Sequence, residues 1–179
     1  MEKLSNYIQH LSFEYAISYS GLRGEKFIHL EKETEEEIKK IEKEITSARF
    51  MQIPKLNKKI EALKAKTDPY NSRLINEHGE LHKSTVMIHR FEKDSQELSS
   101  IFEILSSNFE EQLFAMCPPV FRDSIVFYSK EDKITGILQM CFSCWWMKNE
   151  KEEDLEVDHN IFPLLKEKLI QLGHQIEHG

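Results

Sequence analysis

The sequence predicts an α+β fold: a small antiparallel sheet built in the order strand, helix, hairpin, helix, preceded by an N-terminal helical hairpin or kinked long helix. Three observations carry that expectation. Ile125 to Tyr128 and Ile134 to Phe142 are runs of strand formers joined by polar residues 129–133, the pattern of a hairpin. Ile38, Ile41, Ile45 and Ala48, then Leu56, Ile60 and Leu63, recur at helical spacing among charges. Ile161, Leu164, Leu165, Leu169 and Leu172 draw another helical stripe that closes at Gly173.

Taken in order, residues 1–70 form a helical region and residues 71–179 an α+β module. Leu4, Tyr7, Ile8, Leu11, Tyr15 and Ile17 lie at spacings near three and four, which predicts an amphipathic helix over 2–20 that stops between Gly21 and Gly24. The seam from Ile38 to Ala48 follows, with Glu35 set to Lys39 and Glu36 to Lys40 on its solvated side. Pro54 breaks or kinks this helix because it removes a backbone donor. A stripe this narrow needs a partner, in cis or in a second copy. Thr67-Asp68-Pro69 ends the segment, and Asn76 to Gly79 is a turn.

Thr85 to Ile88 centre a strand, and Asp94 or Ser95 caps a helix running to about Met116 with Leu98, Ile101, Phe102, Leu105, Phe109, Leu113 and Phe114 inward. Within the hairpin, Ile134, Gly136, Leu138, Met140 and Phe142 share the better core face. The acidic stretch KNEKEEDLEVD reads as a connector, Asp158 or Asn160 caps the last helix, and HQIEH adds an edge strand.

Candidate chemistry centres on Cys117, Cys141 and Cys144. A straight strand through Cys141 and Cys144 would point their sulfurs to opposite faces with Cα atoms about 10 Å apart, too far for a disulfide or a shared metal. The pair therefore acts together only if the chain turns at Phe142-Ser143. Antiparallel strands would bring Cys117 to that turn, and three thiolates with one histidine, His159 or His174 among the nearest, would make a tetrahedral zinc site. Inert buried thiols and thiol redox chemistry are the competing readings. His78, Glu80 and His82 are a weaker metal set, since Gly79 turns the chain among them.

Composition narrows the classes. With 179 residues and 40% hydrophobic content the chain can bury one good core beside a smaller helical unit. A net charge of −7 argues against broad attraction to nucleic acid or anionic membrane, so Lys55, Lys58, Lys59, Lys64 and Lys66 read as a solvated helix face. No apolar run nears the roughly 20 residues that span a bilayer. The first 20 residues lack a secretory pattern, and three cysteines suit a reducing cytoplasm.

FRDSIVFY, a turn, ITGILQMCFSC and a leucine helix ending in LGH resemble a type of small uncharacterised bacterial protein, over residues 84–173. In that type a cysteine precedes an arginine-bearing strand and CFxC closes the next strand. The resemblance implies no activity, but it groups Arg122 with Cys117, Cys141 and Cys144.

No phosphate-binding glycine loop, nucleophile elbow, HExxH helix or dinucleotide fingerprint occurs. The sequence therefore favours a non-enzymatic interaction or adaptor module that meets a protein partner, or itself, through helices 31–66. The alternative is a thiol-based zinc or redox site with Arg122 favouring an ionised sulfur.

Overall fold

The computed structural model of the chain describes residues 1–67, 81–82, 84–107, 111, 113 and 117–176. Their elements are β1 (Glu2–Lys3), α1 (Leu4–Gln9), β2 (Tyr15–Gly21), α2 (Gly24–Ser47), a 3-10 turn (Phe50–Gln52) and α3 (Ile53–Lys64). After these come β3 (Thr85–Glu92), α4 (Gln96–Leu105), β4 (Asp123–Tyr128), β5 (Ile134–Cys141), β6 (Trp146–Lys148), β7 (Leu155–Glu156) and α5 (Ile161–Gln171). The α+β expectation holds: a five-stranded sheet in the order β3-β2-β4-β5-β6 is antiparallel throughout. The short β1 and β7 pair in parallel beside it.

The helix expected over 2–20 stops at Gln9, and Tyr15–Gly21 is instead the strand between β3 and β4. Its side chains alternate into two apolar clusters. Ala16 joins one with Phe91, Ile125, Phe127, Leu138 and Met140, while Ile17 and Tyr19 join another with Val126 and Ile137. Burial on both faces erases the polar alternation that marks a one-sided strand.

Helices α1, α4 and α5 cover the first face with Leu4, Tyr7 and Ile8, with Leu98, Ile101 and Leu105, and with Ile161, Phe162, Leu165 and Leu169. Ser95 caps α4 as expected, its hydroxyl accepting Leu98 N–H at 3.3 Å. That helix ends at Leu105 rather than near Met116, and Phe109 and Phe114 lie outside the described residues. The turn at 76–79 is outside them too. Pro163 sits in the first turn of α5, and Gly173 takes φ +105° just beyond its end, where a side chain would be strained. Leu164 is exposed rather than buried, because the core face of α5 runs through Phe162, Leu165 and Leu169. Residues 174–176 form no strand.

Tyr7 closes a gap in the sheet. β6 pairs β5 only at residues 139–141, and beyond that the Tyr7 hydroxyl accepts Ile137 N–H at 2.9 Å and lies 3.2 Å from the Ile137 carbonyl. It also lies 2.6 Å from Glu150 Oε2, and burial, followed by that carboxylate, pushes the phenol far above its usual range. Gly136 leaves the room: a Cβ there would meet Leu11 Cδ2 and come within 2.8 Å of the Tyr7 oxygen. Gly136→Ala is expected to cost about 1–3 kcal/mol, as overpacking does. Denaturant unfolding checks this, and Leu11→Ala added to it should recover part of the loss.

Residues 24–64, between β2 and β3, form a two-helix arm. Its 24-residue α2 extends about 36 Å at the helical rise. Ile38, Ile41 and Ile45 pack against Leu56, Ile60 and Leu63, so the seam is satisfied by α3 of the same chain and the hairpin alternative is the one realised. The break comes at Ala48 to Gln52, and Pro54 lies in the first turn of α3, where its missing N–H costs nothing.

Candidate functional site

The thiols meet at the end of the sheet. β5 ends at Cys141, the chain turns through residues 142–145, and β6 returns from Trp146. That turn is the condition under which the cysteines were expected to act together. It does not join Cys141 to Cys144: Cys117 and Cys144 form a disulfide with Cα atoms 6.1 Å apart, inside the usual bonding range. Cys141 stays a free, buried thiol whose sulfur accepts Val120 N–H at 3.3 Å. The Ser143 hydroxyl stands between the sulfurs, 3.4 Å from Cys141 and 3.9 Å from Cys144.

A disulfide sulfur carries no thiolate charge, so three-thiolate ligation of zinc belongs to the reduced chain. Among the described residues no group of three His, Cys, Asp or Glu side chains is arranged to hold a metal ion. His159 comes near the turn, its ring centroid 5.9 Å from that of Trp145 and its Nδ1 3.1 Å from the Glu111 carbonyl. His78 and Glu80 lie outside the described residues; His82 Nδ1 is 2.6 Å from Ser84 Oγ, and burial lowers its imidazole below the ordinary value.

His174 is committed elsewhere, to a polar network that sequence reasoning missed. Asp123, 1% exposed at the start of β4, accepts from His174 Nδ1 at 2.8 Å, from Ser20 Oγ at 3.0 Å and from Arg23 at 2.5 and 3.3 Å. Arg23 also donates to Ser20 Oγ at 2.9 Å and to the Gln175 carbonyl at 3.2 Å. Burial is the largest single influence on the Asp123 carboxyl and pushes it up. Hydrogen bonds from His174 and Arg23, with their charges, together outweigh it and hold the group below the usual carboxylate range. The network ties the end of β2, the entry to α2, the start of β4 and the segment after α5 into one knot. His174 Nε2 is buried and has no hydrogen-bond partner among the described residues.

The arm presents a different surface. At its far end Phe50 and Met51 are 87% and 90% exposed, beside the exposed Arg49 and Lys55. No helix among the described residues is long and apolar enough to cross a membrane. Searches against protein-family models, curated proteins and solved structures find no match.

Proposed function

We propose that the protein is an interaction module whose helical arm carries the recognition surface, with the sheet and its three helices as the base. The observation behind this reading is the pair Phe50 and Met51, almost fully exposed at the end of an arm in whose seam Ile41, Ile60 and Leu63 are buried. An arm of this length adds nothing to the sheet's core. Aromatic and methionine side chains are enriched where proteins bind proteins, and methionine adapts to irregular pockets. With Arg49 and Lys55 beside them, the complementary partner is a protein with an apolar pocket rimmed by carboxylates.

A photo-crosslinking residue in place of Met51 in the full chain is expected to give one discrete adduct in cells. The protein identified from it, once purified, should bind wild type at least tenfold more tightly than Phe50→Asp. Because Phe50 is exposed, that substitution should change stability by no more than about 0.5 kcal/mol. A purified adduct partner that binds Phe50→Asp and wild type alike, or no adduct at all, overturns the reading. An adduct with a second copy of the chain, together with a dimer by light scattering, replaces the partner with self-association.

Thiol redox chemistry is the second reading, favoured by the bonded Cys117 and Cys144 with Cys141 beside them. Reversible reduction of that bond by a cellular dithiol at neutral pH is its test. A bond inert to dithiols in the folded protein leaves a structural crosslink.

A further inference from the structure

A cleft of about 610 Å³ opens between the start of β4, the turn from β5 to β6 and α5. That volume falls within the roughly 300–1,000 Å³ that small-molecule sites occupy. Its lining is divided by chemistry. Met140, Phe142, Trp145, Phe162 and Ile176 supply apolar and aromatic surface, and Arg23, Arg122 and Lys166 bring three cations.

Asp123 is the one carboxylate among the described lining residues, and Arg23, Ser20 and His174 already engage it. Arg122 is half-buried, and among the described residues no hydrogen bond or ion pair holds its guanidinium. A guanidinium that has lost part of its hydration is best compensated by a carboxylate or phosphate oxygen, which its planar fork binds in two-pronged fashion. Trp145 adds a second sign. Its backbone stands at φ +54°, a region that bulky side chains avoid at a cost of about 1–3 kcal/mol, and its side chain lines the same cleft.

We propose that this cleft binds a small organic acid, a carboxylate or phosphate ester carried on an aromatic or otherwise apolar body. Arg122 meets the charged group, and Phe142, Trp145 and Phe162 receive the body. The ligand needs both parts. Inorganic phosphate leaves the apolar wall bare, and a neutral aromatic leaves the guanidinium without its counter-charge.

Isothermal titration of the full chain with 4-phenylbutyrate, phenyl phosphate, 4-phenylbutanol and inorganic phosphate separates these contributions. At least one of the two aryl anions is expected to bind tenfold or more tightly than both 4-phenylbutanol and inorganic phosphate, and the tighter anion names the headgroup. Arg122→Gln is expected to weaken that anion at least tenfold with an unchanged melting temperature. Should Arg122→Gln fail to fold, Arg122→Lys, which keeps the charge but loses the planar fork, carries the same test with a loss of threefold or more. The proposal is overturned if neither aryl anion binds at millimolar concentration, if the alcohol or inorganic phosphate binds as tightly, or if the folded cation variant binds like wild type.

Discussion

Asp123→Ala is expected to lower the unfolding free energy by about 3–5 kcal/mol, because it removes one partner of a buried ion pair and leaves the other charge unpaired. The stranded group is Arg23, whose side chain is only 9% exposed, and His174, fully buried, loses its Nδ1 acceptor in the same step. Ser20 loses a partner as well. Removing Arg23 and Asp123 together should cost less than the sum of the two single changes, since neither charge is then left alone. Denaturant unfolding of Asp123→Ala, Arg23→Met and the double variant measures this. A loss under about 1 kcal/mol for Asp123→Ala would show that the network contributes little to folding.

Acid makes the same point with a definite sign. The folded protein holds Asp123 below its ordinary value, so its contribution is fully present above the unfolded carboxyl value of about 3.9 and is lost as pH falls through the lower folded one. The stability gap between wild type and Asp123→Ala is therefore expected to narrow as pH falls below about 4. A gap that widened below that pH would contradict the direction of the shift.

Removing the crosslink is the second large effect. Cys117 and Cys144 are 27 residues apart, and closing a loop of that size contributes roughly 2–4 kcal/mol in the chain-entropy account. Cys117→Ser is thus expected to lower the melting temperature by roughly 5–15 °C for a domain of this size. A non-reducing peptide map should join Cys117 to Cys144 and find Cys141 alkylated only after unfolding, since Cys141 is 1% exposed. A link through Cys141, or no link, would contradict the pairing. The disulfide flanks the cleft as well: Val120 and Arg122 follow Cys117, and Ser143 and Trp145 bracket Cys144.

Much of the fold was legible because its signals are local. The seam of α2 and α3 repeats at helical spacing, Ser95 stands where a cap belongs, and Gly173 marks the end of α5. The hairpin of β4 and β5 was readable from strand formers around a polar turn. The same reasoning misread residues 15–20, because in a strand buried on both faces Tyr15 and Ile17 extend the apolar series that runs from Leu4 to Leu11. It made joint action of Cys141 and Cys144 conditional on a turn at Phe142-Ser143 and allowed Cys117 to approach that turn, yet it left the pairing open, since Cys117 lies 27 residues before Cys144.

By itself, then, the order of residues determined the class of fold, the helical seam on either side of Pro54 and the strand hairpin, each a consequence of spacing within a few turns or one strand. Only the tertiary structure decided that Tyr15–Gly21 lies inside the sheet, that Cys117 takes Cys144, and that Ser20, Arg23, Asp123 and His174 share one buried network. The reason is separation along the chain: Arg23 and Asp123 stand 100 residues apart. Their pairing leaves no periodic mark, because it follows from β4 lying beside β2 and from the segment after α5 returning to the same corner.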